Sequence, residues 1–357
     1  MKAVTLEGTP GRYLAYTRRK AALVVLLLLA TGLVGVYAVQ AGSADLSAAQ
    51  VLQTLLGKAE GNSGVIIWNI RLPRVLAAVM AGVGLSLAGC VMQNILRNPL
   101  ASPFTLGVSQ GAAFGAALAI VALDAGSTHS ASVDAVIVSH PWSVTGCAFL
   151  GAMAATLVVF LLAKYREVSP EAMVLAGVAL GSLFSAATVV LQYFANEVQV
   201  ASIVFWTFGN LGRASWRDLG MMAAVTGAAS LYFLARRWDY NALESGEETA
   251  RGLGVEVERV RLTGMFLASL VTATIVAFLG IIGFIGLVGP HLTRRVLGGD
   301  YRFLLPASGA AGALLLLAAD TLARTVIAPV VLPVGVITSF LGAPLFLYLL
   351  VGGNHRR

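Results

Sequence analysis

Apolar residues run along this chain in long blocks separated by short polar breaks, a pattern unlike the narrow apolar stripe of a water-soluble helix. Blocks at about 21–40, 72–95, 104–123, 142–163, 171–193, 218–235, 260–280, 283–297, 304–323 and 332–351 approach or exceed the roughly 20 residues that cross a bilayer core. The pattern predicts about ten transmembrane helices in an all-α integral membrane protein. The shortest block is interrupted by Pro290. Just before it, Gly280 to Gly289 carries glycine at every third position, a period that matches no helix stripe, so a broken junction is expected between spans seven and eight. Residues 1–20 are polar and basic, and the block that follows is too long for a cleaved signal core, so an uncleaved first helix with a cytoplasmic N-terminal tail is expected. Ten crossings then place the tail at 353–357 in the cytoplasm as well, with one ten-helix unit over 21–352.

The second and third blocks form a hairpin around Arg97-Asn98-Pro99-Leu100-Ala101-Ser102-Pro103. Each proline lacks a backbone donor and pushes the residue before it out of helical geometry, so the chain must break there. Gly82, Ser86 and Cys90 before the turn, and Gly107, Gly111 and Gly115 after it, recur at helix-contact spacing. In lipid such positions let helix backbones approach closely. A weaker copy of the turn and small-residue helix follows Pro290, at Pro306 to Ala313. Of the long outer connections at about 41–71 and 194–217, the second, with Phe205, Trp206 and Phe208, is expected to lie along the membrane interface or to fold back into a vestibule, its aromatics reading as interfacial anchors.

Composition agrees: 58% of the 357 residues are hydrophobic and only 11% charged, against about 25% charged in an ordinary soluble domain. On the predicted map 18 Lys and Arg residues fall on the cytoplasmic side and six outside, as the positive-inside tendency requires. The net charge of +7 is therefore spread over short loops, with no basic helix or aromatic-interleaved patch to bind nucleic acid. Cys90 and Cys147 both lie in apolar blocks and read as small buried thiols, not as a disulfide or metal site.

Candidate chemistry is sparse. Asp320 is the one acid clearly inside a span, and Arg324 lies four residues on, where the two side chains meet on one helix face. No HExxH, GxSxG or intramembrane acid pair suggests a membrane enzyme, and no GxxxxGK[ST] loop is present to bind ATP. Energised transport would need a partner. The longest internal cytoplasmic segment, 236–261, contains a predicted short helix from Leu243 to Arg251 with acids early and Arg251 late, ended by Gly252 and Gly254. That is more structure than a linker needs.

Six motifs, in order, carry a resemblance over roughly 20–352: Arg71-Leu72-Pro73-Arg74; Asn98-Pro99-Leu100-Ala101 with Pro103 and Leu106-Gly107; Leu175 to Leu180; Gly283 to Val288 with Pro290-His291; Ala319-Asp320 with Ala323-Arg324; and Leu332-Pro333-Val334-Gly335 with Gly342-Ala343-Pro344. The chain resembles the permease subunits of the ABC importers for ferric siderophores, haem and vitamin B12, the FecCD-type family.

The resemblance implies a vitamin B12 importer permease-like fold with both termini cytoplasmic, in the inner (cytoplasmic) membrane of a bacterium. It implies a homodimer around a central pathway, with two ABC ATPase subunits inside and a periplasmic or lipid-anchored substrate-binding protein outside. The subunit itself would be non-catalytic and carry no cofactor or metal. The family's coupling loop falls on Leu243, Gly246, Glu247, Ala250, Arg251, Leu253 and Gly254, its outer docking arginines on Arg71, Arg74 and Arg324. The inner gate and path fall at Ser169-Pro170-Glu171 and at Asn98 and Pro99; Pro170 and Glu171 depart from the small hydroxyl residues usual there. The competing class is a secondary transporter or channel for a small solute that needs no ATPase.

Overall fold

The computed structural model describes residues 9–42, 46–58, 61–123, 140–166 and 169–353, which are helical throughout with short irregular joints and no strand. In chain order the helices are α1 (Thr9–Gln40), α2 (Ala48–Leu55), α3 (Leu72–Ile95), α4 (Val108–Ala122), α5 (Pro141–Arg166), α6 (Pro170–Phe194), α7 (Glu197–Thr207), α8 (Trp216–Ala235), α9 (Arg237–Glu244), α10 (Glu247–Gly252), α11 (Val257–Leu279), α12 (Ile285–Leu297), α13 (Tyr301–Thr325) and α14 (Val334–Gly353). A π-helical stretch, Val65–Arg71, runs directly into α3.

Seven of these are long and apolar enough to cross a membrane, and two shorter apolar helices, Val108–Ala122 and Val334–Tyr348, accompany them. Each of the ten apolar blocks is occupied by a helix. α1 begins well inside the polar tail and reaches 32 residues, about 48 Å at 1.5 Å per residue and longer than a bilayer core. Its extra turns are held by contacts: Arg302 donates to the Tyr13 hydroxyl (3.1 Å), and the Lys20 ammonium lies 4.2 Å from the Tyr16 ring centre. The C-terminal residues 354–357 lie outside the described residues.

Helix starts follow local chemistry. Ser215 and Asp218 form a reciprocal capping box at α8, Asn196 and Gln199 one at α7, and Ser47 and Gln50 one at α2. The junction before α12 is broken, as the glycine pattern predicts: α11 stops at Leu279, Gly280 adopts φ +79°, and Phe284 adopts φ +66° before α12 begins.

α3, α11 and α13 form the centre, with 78, 67 and 72% of the most apolar stretch of each buried inside the protein, against 17% for α1 and 11% for α6. The small residues of the hairpin make this possible. A Cβ on Gly82 would collide with the backbone at Gly312 and Ala313 of α13, and one on Gly89 with the Gly286 backbone of α12. Ser86 donates from its hydroxyl to the Ser308 carbonyl (2.6 Å), bridging α3 to α13. After the turn, Gly111 faces Gly151 and Gly115 faces Cys147, so α4 lies against α5 at backbone contact.

The second long outer connection folds inward. Ile203 and Trp206 of α7 are buried with α4 residues such as Ala116 and Ile120, while Phe205 is exposed. The expectation that these aromatics are all interfacial anchors fails for Trp206, because α7 is long enough to present one face to the core.

Replacing Gly89 by Leu should therefore lower the melting temperature in detergent by an amount equivalent to at least about 1–3 kcal/mol. Gly146→Leu is the control, since nothing lies within 4 Å of a Cβ there. A Gly89→Leu protein that is monodisperse and melts like wild type would contradict this packing.

Candidate functional site

Three groups of predicted residues occupy distinct parts of the molecule. At the predicted outer end, the chain turns from the π-helical stretch into α3 and places Arg71 and Arg74 one turn apart. α13 brings Asp320 and Arg324 alongside them. Asp320 is fully buried and accepts hydrogen bonds from two arginines: from Arg74 through Nε (2.9 and 3.1 Å) and Nη2 (2.8 Å), and from Arg324 through Nε (3.0 Å). The Asp320–Arg324 pair is the one the spacing predicts. Arg74 is the partner sequence reasoning missed, 246 positions away.

The other donors close a helix end. Arg324 donates to the carbonyls of Ala41 (2.8 Å) and Ala38 (3.1 Å), and Arg71 to those of Val39 (2.9 Å) and Gln40 (2.6 Å). The last carbonyls of α1 have no acceptor role inside their own helix and carry the negative end of its dipole. Two guanidinium groups satisfy both needs at once. Arg71, Arg74 and Arg324 are all buried, at 4, 9 and 6% exposure. Their structural work is to join α1, α3 and α13. Among the described residues the cations exposed at this end are Lys58, Arg213 and Arg217; Arg213 donates to the Phe205 carbonyl (3.0 Å), and Arg217 stacks 4.4 Å from the Trp142 ring centre.

At the opposite end, the predicted single helix from Leu243 to Arg251 is two helices. α9 ends at Glu244, Gly246 takes φ +116°, and α10 runs Glu247–Gly252. The charge pattern suits α10 alone, with Glu247 and Glu248 in its first turn and Arg251 in its last. Gly246 was the available signal for the break. Leu243 and Ala250 are buried and anchor the two helices, whereas Arg251, Leu253 and Gly254 are exposed at the tip, Leu253 by 69%. Glu247 ion-pairs with Arg261 of α11, which also donates to the Ile95 carbonyl at the end of α3 (3.3 Å).

α9 is held by a polar network that no motif announced. Glu244 ion-pairs with Arg294 of α12 and accepts from Asn94 Nδ2 (3.2 Å). Arg294 donates to the Tyr301 hydroxyl (2.6 Å), and Asn241 Oδ1 accepts from the Tyr301 backbone N–H (2.8 Å). Burial pushes the Tyr240 hydroxyl of α9 to a pKa well above the usual range, so it stays protonated at neutral pH. The Arg97–Pro103 turn lies beside this network: Asn98 Oδ1 accepts from the Leu100 N–H (2.9 Å), Pro99 is exposed, and both line a polar cavity shared with α9. Ser169 caps α6, accepting from the Ala172 N–H (3.4 Å), with Pro170 at the first helical position and Glu171 exposed in the first turn. Pro170 and Glu171 are thus good helix-start residues, which gives their presence a local reason. Among the described residues no cluster of three His, Cys, Asp or Glu side chains could hold a metal ion.

Residues 26–352 match the FecCD transport family. The chain belongs to that family. It is 54% identical over 342 residues to a Methanocaldococcus jannaschii protein named as an ABC transporter permease protein, MJ0087, covering 96% of this chain and 97% of that one. It is 39% identical over 318 residues to the hemin transport system permease protein HmuU of Yersinia pestis, covering 88 and 92%. Other relatives are named as permeases for Fe(3+)-citrate and vitamin B12 import. A solved metal-chelate type ABC transporter in an inward-facing conformation superposes with a TM-score of 0.81 at 31% identity, covering 93% of this chain and 99% of that one. This FecCD-family chain is therefore a multi-pass membrane protein of the ABC permease class, and its fold is that of the solved metal-chelate type transporter.

Removing the shared carboxylate tests the outer cluster. Asp320→Asn strands two buried guanidinium groups and should destabilise the protein by about 3–5 kcal/mol, read as a fall in detergent melting temperature. Adding Arg74→Met and Arg324→Met should recover part of that loss. Equal melting of Asp320→Asn and wild type would show that the cluster does not hold these helices.

Proposed function

We propose that this FecCD-family chain is the permease subunit of an ATP-driven importer in the cytoplasmic membrane. Two copies surround a central path, each subunit crossing the membrane about ten times with both termini in the cytoplasm. A periplasmic or lipid-anchored binding protein delivers an iron chelate, haem or vitamin B12, and two separate ATPase subunits supply the energy. The observation that carries this reading is the paired helix α9–α10. It protrudes with an exposed Leu253 at its tip, yet is wired at its base to α3, α11, α12 and α13. A force applied at the tip reaches central helices through partly buried polar contacts, as a coupling element requires. α6 supports the dimer: Leu175, Val178, Leu183, Val189 and Tyr193 are exposed along it, a face for a second copy or lipid.

Binding-protein docking is assigned to the outer surface that Arg71, Arg74 and Arg324 hold in place. Lys58, Arg213 and Arg217 supply its accessible positive charge. Gln93 to Pro103 and Ser169 to Glu171 are assigned to the cytoplasmic surface and gate.

Replacing 246–254 with a Gly/Ser linker should abolish uptake and substrate-stimulated ATP hydrolysis while the permease still inserts. Normal uptake by that variant would sink the assignment. A stoichiometric ATPase should co-elute with the tagged wild-type permease; its absence, with uptake intact, would favour the secondary-carrier reading. Reversing Arg213 and Arg217 to Glu should weaken binding-protein affinity in a salt-dependent way, roughly tenfold at low salt, with only the small fall in melting temperature expected from losing the Phe205 carbonyl bond and the Trp142 contact. Unchanged affinity would remove these two from the docking surface.

A further inference from the structure

A small polar cavity of about 220 Å³ opens at the predicted cytoplasmic end, between the last turn of α3, the turn that follows it, α9 and α12. It is smaller than the roughly 300–1,000 Å³ of a typical small-molecule pocket, so it does not suit an imported chelate. Its lining is chemically unbalanced. Glu244 is matched by Arg294 and by Asn94 Nδ2. Gln93 is 95% buried, with 5% exposure, and its Nε2 has no hydrogen-bond partner; the Oδ1 of Asn94, 4% exposed, has none either. Buried amide groups are rarely left unpaired, so the cavity is expected to receive an acceptor for Gln93 Nε2 and a donor, such as a bound water, for Asn94 Oδ1.

The charge points the same way. Two guanidinium groups, of Arg97 and Arg294, line the cavity with one carboxylate, Glu244, leaving one positive charge in excess. That excess is Arg97's: among the described residues its guanidinium makes no ion pair or hydrogen bond. Glu171, exposed on the first turn of α6, is within Coulombic reach of Arg97 without pairing with it.

Arg97 is also held in an unusual backbone. Its φ is +49°, at the position after a helix where the Asn98 N–H donates back to the Gln93 carbonyl (3.2 Å) and the Arg97 N–H to the Asn94 carbonyl (3.0 Å). That position normally takes glycine, which adopts left-handed geometry without steric cost. An arginine there costs stability, and among the described residues no hydrogen bond or ion pair of its side chain offsets that cost.

We propose that this cavity is a socket for a carboxylate side chain of the ATPase subunit, which accepts from Gln93 Nε2 and pairs with Arg97. The socket lies at the base of α9, so an occupied socket and a gripped α9–α10 tip give the ATPase two separated footholds on one element. The inference rests on the reading of the chain as an ATPase-driven permease.

The test uses the full-length permease in nanodiscs and its ATPase, with affinity measured at low and high salt. Arg97→Gly relieves the left-handed backbone, so it should melt no lower than wild type, yet bind the ATPase about tenfold more weakly at low salt. Arg97→Lys should bind within about threefold of wild type, and Arg97→Glu should bind worst. One Asp or Glu of the ATPase surface, changed to Arg, should restore binding to Arg97→Glu. Unchanged affinity of Arg97→Gly overturns the proposal, as does failure of every charge reversal to rescue Arg97→Glu. An Arg97-dependent rise in melting temperature with acetate or inorganic phosphate, without an effect of Arg97 on ATPase affinity, would make this a small-anion site and overturn it as well. If the ATPase does not bind wild type at all, the importer reading falls first, an outcome distinct from each of these.

Discussion

Everything at the predicted outer end depends on one buried carboxylate. Asp320 lies inside a helix bundle where an unpaired charge would be prohibitive, and it is tolerated because Arg74 and Arg324 surround it. Arg324, joined by Arg71, also ends α1 by satisfying its last carbonyls. One acid, three guanidinium groups and one helix terminus thus form a closed electrostatic unit. It fixes where α1 stops and how α3 meets α13. Such a unit offers geometric specificity more than net stability, since an apolar replacement of the whole group could pack as well.

The opposite end is built on a different principle. Its ionic contacts, Glu244 with Arg294 and Glu247 with Arg261, are only partly buried and bind two short helices to the bundle through glycine-bounded joints. Gly246 and Gly254 allow α9–α10 to protrude, while Leu243 and Ala250 keep it seated. The centre of the molecule, by contrast, is packed through glycine-to-backbone contacts that leave no room for adjustment. A rigid centre with a tethered, solvent-exposed element at one end is what transmission of an external force requires, because packed interfaces switch between arrangements and do not deform continuously.

How much of this was legible beforehand follows from whether the signal was local. The Pro99–Pro103 break, the junction at Gly280, and the Asp320–Arg324 pair are all encoded within a few residues, and each is where the spacing put it. Small residues along α3 could be read as contact positions, but their partners Gly286, Ser308 and Gly312 could not. The bond between Arg74 and Asp320 joins residues 246 positions apart, and nothing in either neighbourhood selects the other. The family resemblance put Arg71, Arg74 and Arg324 at an outer docking surface, and all three are buried in the structure. They are buried because Asp320 needs counter-charges and the end of α1 needs donors. The split of the 243–251 helix was hidden by a charge pattern that suited one helix well, with Gly246 the only contrary sign.

The central claim is that solute movement through this FecCD-family chain is driven by ATP hydrolysis in a separate subunit. Reconstitution of the permease with its ATPase and binding protein in sealed liposomes, followed by labelled ferric chelate, haem and vitamin B12, measures this directly. The account predicts accumulation of at least one of these that requires ATP, the binding protein and a hydrolysis-competent ATPase, and that is indifferent to ionophores. Accumulation driven by a proton or sodium gradient in the absence of ATP and ATPase would contradict it.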